Sequence, residues 1–339
     1  MTSVYLADVG LGFGPRSTPE RFRELARRDA IGRHALSSDP GSADLILFTE
    51  AHQLGADWRI ERIVRHPLYR SYRTKCFSYD ERDRPLCTLP GLYVSLDRRN
   101  CHRRLQRAWS YFHVSDRGPA SNQPSLLFSF VGSPTHPIRK AILTLSHPNA
   151  HVERVENFLF WDPETPQYEE RRVRFQEILD DSSFVICPRG HGTSSIRLFE
   201  TMAAGRVPVV LSDFWVPPAG PAWDDFVVRW PEGDLEGLTQ HLESLASEAG
   251  DMGRRARAEY DAHFAPAVYF DRTVQQLSEL AEAKPGRAYS ILAAHDLTFA
   301  RRSAGGFWRT HGPIKRAQRA TGHRAISPAV SGERANELH

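Results

Sequence analysis

Residues 184–217 read FVICPRGHGTSSIRLFETMAAGRVPVVLSDFWVP. Two short apolar runs, Phe184–Cys187 and Val207–Leu211, bracket a segment with helical character. Between the first run and the helix lies Pro188-Arg189-Gly190-His191-Gly192-Thr193-Ser194-Ser195. Its glycines permit a tight loop and close approach of backbone to a ligand. Thr193, Ser194 or Ser195 can cap the helix, whose free N–H groups attract anions. On a helix beginning near Ser194, Arg197 and Glu200 are three residues apart and share a face. The whole reads as a βαβ unit with its glycine turn at the carboxyl end of a strand, where open α/β sheets bind ligands.

This pattern has two readings. In the functional one the ligand carries phosphate and ribose. The planar forks of Arg189 and Arg197 match phosphate oxygens, and Glu200, an acceptor, takes hydrogen bonds from ribose hydroxyls. In the other, the turn is an ordinary βαβ connection and Arg197 and Glu200 form a solvated i,i+3 pair.

The stretch resembles the C-terminal half of the exostosin family, glycosyltransferase family 47. The resemblance rests on C-P-R-G (Cys187 to Gly190), S-x-R-L-x-E (Ser195 to Glu200) and A-G-x-V-P-V-V-L-S-D (Ala204 to Asp213). Further on it rests on W-D-D-F-V-V-R-W-P-E-x-D-L (Trp223 to Leu235). It covers residues 126 to 245 well and the first hundred weakly. It implies an α/β fold of the GT-B type, two Rossmann-like domains facing across a cleft, the second of them holding a nucleotide-sugar donor, UDP-linked in most of the family. It also implies inversion at the anomeric carbon, which needs a base on the acceptor side.

The rest of the chain fits that frame. With 339 residues there is room for two domains. Lys plus Arg number 44 against 41 Asp plus Glu, a formal +3, so no global nucleic-acid signature exists. The basic surplus is local, in the tail after Ala300. No apolar run reaches eighteen residues, and Met1 to Gly14 lacks the basic start and apolar core of a signal peptide. Many family relatives are Golgi proteins with an N-terminal anchor; without one, the expectation is a cytoplasmic or membrane-peripheral enzyme. The four cysteines, Cys76, Cys87, Cys101 and Cys187, show no metal-binding spacing.

Residues 1–120 read as an acceptor-side Rossmann-like domain. Val4-Tyr5-Leu6 is a strand, residues 19–32 a helix with Thr18 as cap, and Ala43 to Phe48 a buried parallel strand. Glu50 and His52 follow that strand's carboxyl end and, with Asp8, are the candidates for the base; Glu50 is the choice, with helix capping its competing role. Asp80, Asp83 and Asp97 are acidic candidates for acceptor contact, the first two more cheaply explained by a solvated turn. Residues 98–107 are basic and read as an exposed, loosely helical segment.

Residues 115–125 read as a linker, and residues 121–285 as the donor-binding domain. Leu126 to Val131 is its first strand. Gly132 opens a loop like the family's F-x-G, and a helix begins near Ile138. Arg139 and Lys140 in its first turn oppose the helix dipole, which an anionic partner would rationalise. Phe158 to Trp161 and Phe226 to Trp230 read as strands; residues 166–179, 234–246, 252–264 and 266–283 read as helices. Residues 286–339 read as a crossing helix (288–301) followed by a basic, largely disordered tail capable of peripheral membrane contact.

The expected donor site is thus Gly132, Arg139, Arg189, Gly190, Thr193, Ser194, Ser195, Arg197 and Glu200, with Arg197 and Glu50 as catalytic residues. No separate cofactor is expected, the partners being the donor and a glycan or glycoconjugate acceptor. No DxD motif ends a credible strand, so the resemblance carries no demand for a metal. A non-catalytic nucleotide- or glycan-binding module of the same fold, or a nucleotide-sugar epimerase, would share these features.

Overall fold

In the computed structural model the described residues are 1–7, 17–49, 66–83, 85, 89–99, 101, 104–112, 115–156 and 167–283. They form two parallel sheets. Glu50, His52, Asp8, the strand expected over 158–161, the crossing helix over 288–301 and the tail lie outside them.

The first sheet contains β1 (Thr2–Leu6), β2 (His34–Leu36), β3 (Leu45–Phe48), β4 (Cys76–Asp80), β5 (Gly91–Tyr93) and β6 (Gln106–Ala108), in the order β2-β1-β3-β4-β5-β6. Every pairing is parallel. All residues of β3 and β4 are buried, as expected of strands covered on both faces. Helix α1 (Thr18–Arg27) starts where Ser17 Oγ accepts the Glu20 amide, and α2 (Pro67–Tyr72) starts at His66. Residues 98–107 differ from expectation: Gln106–Ala108 is an edge strand. Gln106 and Ala108 are buried while Arg107 is half-buried, a two-residue alternation that a helical reading of the arginine-rich run obscures.

The second sheet contains β7 (Leu126–Gly132), β8 (Ala150–Arg154), β9 (Ser182–Pro188), β10 (Val207–Leu211) and β11 (Val228–Arg229), ordered β11-β10-β9-β7-β8 and again parallel. Its helices are α3 (Pro137–Ile142), α4 (Tyr168–Asp180), α5 (Ile196–Ala203), α6 (Leu238–Ser244) and α7 (Ala249–His263). The βαβ unit read from residues 184–217 is β9-α5-β10. Val207 to Leu211 pair with Phe184 to Pro188 in register, and Gly205, at φ +70°, ends α5.

Helix α8 (Tyr269–Glu282) follows the second sheet in sequence but packs on the first. Trp109 Nε1 donates to Thr273 Oγ1 at 3.0 Å, the Tyr269 hydroxyl donates to Ser110 O at 2.9 Å, and Arg33 grips the fully buried Asp271. Phe22 meets Phe270 with ring centres 5.3 Å apart. One apolar cluster accordingly runs from Val4 and Phe22 in the first domain to Phe199, Trp223 and Phe264 in the second. Residues 115–125 form no helix or strand and lie against the second domain, where Ala120 N donates to Ala204 O and Arg257 Nη1 to Arg117 O.

The carboxyl ends of the two sheets face each other. After β5, Asp97 bridges antiparallel to Trp215, beyond β10. Arg98 N donates to Phe214 O at 2.9 Å, Arg98 Nη2 donates to Asp213 O at 2.9 Å, and the Arg99 guanidinium lies 3.8 Å from the Phe214 ring centre. Thr193 Oγ1, in the turn after β9, donates to Leu96 O at 2.7 Å. These contacts close one flank of a crevice lined by the strand-end loops of both sheets. Among the described residues no helix is long and apolar enough to cross a membrane.

Candidate functional site

The order of the second sheet reverses between β7 and β9, so the crevice outside their carboxyl ends is where a doubly wound sheet takes its ligand. Two arginines converge there. Arg139, in α3, donates from Nε to Arg189 O at 2.8 Å and from Nη2 to Pro188 O at 3.2 Å. Arg197, in the first turn of α5, donates to Val131 O and Ile186 O and lies over the Phe130 and Phe175 rings. Both are half-buried. Neither forms an ion pair with a carboxylate among the described residues. Burial, reinforced by Arg197, lowers the Arg139 pKa to about 10, and burial lowers that of Arg197 too. Two desolvated, mutually repelling cations with carbonyls as their neighbours constitute an anion-attracting hollow.

Glu200 stands one turn along α5 from Arg197. Its carboxylate accepts no hydrogen bond among the described residues, and burial raises its pKa against the pull of Arg197 and Arg117. Arg197 and Glu200 share a face as expected, yet they do not form the solvated pair of the alternative reading. The arginine is committed to the strand ends, so the carboxylate is left with acceptor capacity unspent.

The glycines matter where neighbours crowd them. A Cβ on Gly132, the last residue of β7, would meet Arg197 Nη2 at 3.1 Å and Phe130 Cζ at 3.0 Å. On Gly190 it would touch Arg139 Nη2 at 3.4 Å, and on Gly192 it would collide with Ser95 Oγ and with Asp83 Cα at 2.8 Å. Gly192 is thus the point where the turn after β9 presses against the first domain. Ser195 occupies the N-cap position of α5 without a side-chain cap bond. Thr193 is turned to Leu96 O, while Ser212 Oγ donates to Thr193 O at 2.8 Å. Ser194 is buried beside the Tyr111 phenol, and among the described residues its Oγ meets no partner at full hydrogen-bond geometry. Of the three hydroxyls expected at the helix start, one therefore ties the domains together, one occupies the cap and one faces Tyr111.

Arg189 lies at the edge of this hollow. Its Nη1 is 3.7 Å from Glu232 Oε1, and its buried Nε has no hydrogen-bond partner among the described residues. Glu232 and Asp213 exchange hydrogen bonds, each carboxylate accepting the other's backbone N–H. Pro231-Glu232 belongs to the stretch that carries the resemblance, but sequence reasoning did not place Glu232 in the site; its position after β11, at the same sheet edge as Arg189, was the available signal. Facing the turn from the first domain are Asp83, Ser95 and Tyr111. They come from three different loops, and no spacing in the sequence announces their meeting. The described residues hold no group of three or more His, Cys, Asp or Glu arranged to take a metal.

Two Rossmann-type sheets with their carboxyl edges apposed across a crevice define the GT-B class of α/β protein. Within that class, residues 104–245 match the family model of the Exostosin GT47 domain. It is 28% identical over 159 residues to a probable glycosyltransferase of Arabidopsis thaliana, covering 45% of this chain and 29% of that one. It is 31% identical over 111 residues to the exostosin-1 homolog of Caenorhabditis elegans, covering 32% and 27% respectively. The chain thus spans under a third of the length of these relatives. Among solved structures, HepE of Anabaena in complex with UDP aligns at TM-score 0.42 and 11% identity, covering 82% of this chain and all of that one. The lipopolysaccharide outer core galactosyltransferase WaaB aligns at TM-score 0.41 and 9% identity, covering 82% and 99%.

Proposed function

We propose that this chain transfers a sugar from a nucleoside-diphosphate-sugar donor to a hydroxyl-bearing acceptor. The observation that carries the reading is the pair of half-buried guanidiniums, Arg139 and Arg197, set at the switch point of the second sheet with no carboxylate at ion-pair distance among the described residues. A diphosphate supplies the missing negative charge. Glu200 accepts from the ribose hydroxyls, and the Gly190–Gly192 turn lets the donor lie close to backbone. UDP is the nucleotide the reading favours, following the habit of the family.

The chemistry follows from where charge develops. As the bond from the anomeric carbon to the phosphate oxygen breaks, its electron pair stays on that oxygen. Two guanidiniums already in place stabilise the growing charge without reorganising. They supply the positive charge that a metal ion supplies elsewhere, so the reading is of metal-independent transfer. A hydroxyl attacking from the first domain's side reaches the opposite face of the anomeric carbon and inverts it, with its proton passing to a base on that side. Glu50, the expected base, lies outside the described residues.

The test is calorimetric titration with UDP and GDP, together with nucleotide release from a panel of UDP- and GDP-sugars. Binding in the micromolar range that is lost in the Arg139→Ala variant, together with nucleotide release, supports the reading. Tight binding without turnover from any donor points to a binding module of the same fold, and no binding of either nucleotide ends the proposal.

A further inference from the structure

The crevice has an acceptor side, and its chemistry centres on Asp83. We infer that Asp83 is the residue that takes the proton from the attacking hydroxyl; this rests on the transferase reading above.

Asp83 sits three residues beyond β4, at the carboxyl edge of the first sheet. It is exposed, and its carboxylate accepts no hydrogen bond among the described residues. The other acids at this edge are already committed. Asp80 is held by Arg82 through two of that arginine's nitrogens, and Asp97 by Arg99. Glu81 accepts from the Tyr79 hydroxyl at 2.9 Å and from the Phe112 amide. Asp83 alone of these four has both lone-pair capacity and access.

Its position relative to the anion hollow is the second element. The Asp83 carboxylate lies against Gly192, with Oδ1 2.8 Å from the place a Cβ would occupy, while Arg139 Nη2 lies 3.4 Å from the corresponding place on Gly190. A single residue, His191, separates those glycines, a span of at most about 7 Å. Base and leaving-group cations therefore flank one short turn, from opposite domains. An in-line displacement needs this, because the attacking and departing oxygens lie on opposite sides of the reacting carbon. The Arg139 guanidinium and the Tyr111 phenol both lie within the electrostatic reach of Asp83.

A third observation points to a polyhydroxylated occupant. Ser95 and Ser194, at 4% and 5% exposure, come from opposite sides of the crevice and turn their hydroxyls to the Tyr111 phenol, which burial keeps protonated. Among the described residues neither serine oxygen meets a partner at full hydrogen-bond geometry, so this trio of hydroxyls has capacity left for the hydroxyls of a sugar ring above Gly192.

The step balances. The acceptor O–H proton moves to an Asp83 carboxylate oxygen, the acceptor oxygen bonds to the anomeric carbon, and the bond to the phosphate oxygen breaks. The nucleoside diphosphate leaves with the electron pair, beside Arg139 and Arg197.

The experiment compares wild type with Asp83→Asn and Asp83→Ala, using the full chain. It reads UDP affinity by calorimetry and UDP release from a panel of UDP-sugars with water as acceptor. Asp83 is exposed, so both variants fold, which thermal unfolding checks. The expected result is UDP affinity within twofold of wild type, turnover lowered by about 10² to 10⁴-fold, and loss of the acid limb of the pH–rate profile. Added formate restores part of the rate in Asp83→Ala but not in Arg139→Ala. Turnover above a tenth of wild type in Asp83→Asn overturns the assignment alone, as does UDP binding lost along with activity. A wild-type protein that releases UDP from none of the donors removes the transferase reading itself, and this inference with it.

Discussion

At the scale of single residues, the hollow between β7 and β9 combines two roles in each arginine. On the proposed reading Arg139 neutralises the diphosphate, and it also donates to the carbonyls of Pro188 and Arg189. Arg139→Ala is therefore expected to weaken UDP binding at least tenfold, about 1.4 kcal/mol or more. It should also cost about 1–3 kcal/mol of stability through the carbonyls it abandons. Arg139→Lys keeps the charge but not the fork, so its UDP affinity should fall between the two. Calorimetry and urea titration separate the two effects. Glu200 behaves oppositely. Burial raises its pKa, so the folded state disfavours its ionised form, and that cost is present above the folded pKa and relieved below it. Glu200→Gln is expected to raise the melting temperature at pH 7.5 while UDP binding falls by tenfold or more, reading as a stability gain at the expense of function. On the second domain the turn, helix start and acid were legible because they are close in sequence, within Arg189 to Glu200, whereas Gly132 and Arg139 were reached through a strand-end loop and a cation in a first helical turn. Asp83 was named as an acidic candidate for acceptor contact, with a solvated charged turn as the cheaper reading. Its meeting with Ser95 and Tyr111 at Gly192 was not legible, since only the docking of two sheets creates it.

At the scale of elements, legibility followed burial. The strands β3, β9 and β10 are covered on both faces and read as unbroken apolar runs, whereas β2 and β8 are half-buried along their length and leave little signal. Crossing helices were less legible still. Helix α8 falls within the helix read over 266–283, but nothing in its own pattern says that the face it buries belongs to the first sheet. The packing of α7 on α5 gives a sharp expectation. Gly205 ends α5 at φ +70°, and a Cβ on Gly253, in α7, would run into the carbonyl oxygen of Gly205. Backbone atoms cannot step aside as a side chain can. Gly253→Ala should therefore destabilise by about 1–3 kcal/mol or more, and Gly205→Ala, where only the left-handed backbone is strained, by about 1 kcal/mol. If urea midpoints rank them in the reverse order, this account of the α5–α7 contact is wrong.

At the scale of the whole molecule, α8 ties residues 269–282 to the first two strands, and the tie is sensitive to acid. His34, in β2, accepts the Thr2 amide through Nδ1 at 3.3 Å and turns Nε2 toward the buried Asp271 at 3.6 Å. That hydrogen-bond pattern belongs to a neutral ring. Burial lowers the pKa of His34 in spite of Asp271, with Arg33 adding to the effect, and burial also lowers that of His263, at the end of α7, in spite of Glu259. For a base with a depressed folded-state pKa, the unfolded chain takes up its proton first, near pH 6.5. Stability is then lost as pH falls through that value and continues to fall until the folded-state pKa is reached. The buried acids Glu81 and Glu200 have raised pKa values and act in the opposite sense over the lower part of the range, so the wild-type slope alone does not isolate the histidines. The difference between wild type and a His34→Gln, His263→Gln double variant does, because both acids are common to the two. Between pH 7.5 and 5.5 the wild-type urea midpoint should drop more than that of the double variant, with the single variants intermediate. Parallel curves over that range would mean that the two imidazoles charge as readily in the folded chain as in the unfolded one, and that α8 and α7 are held without regard to their protonation.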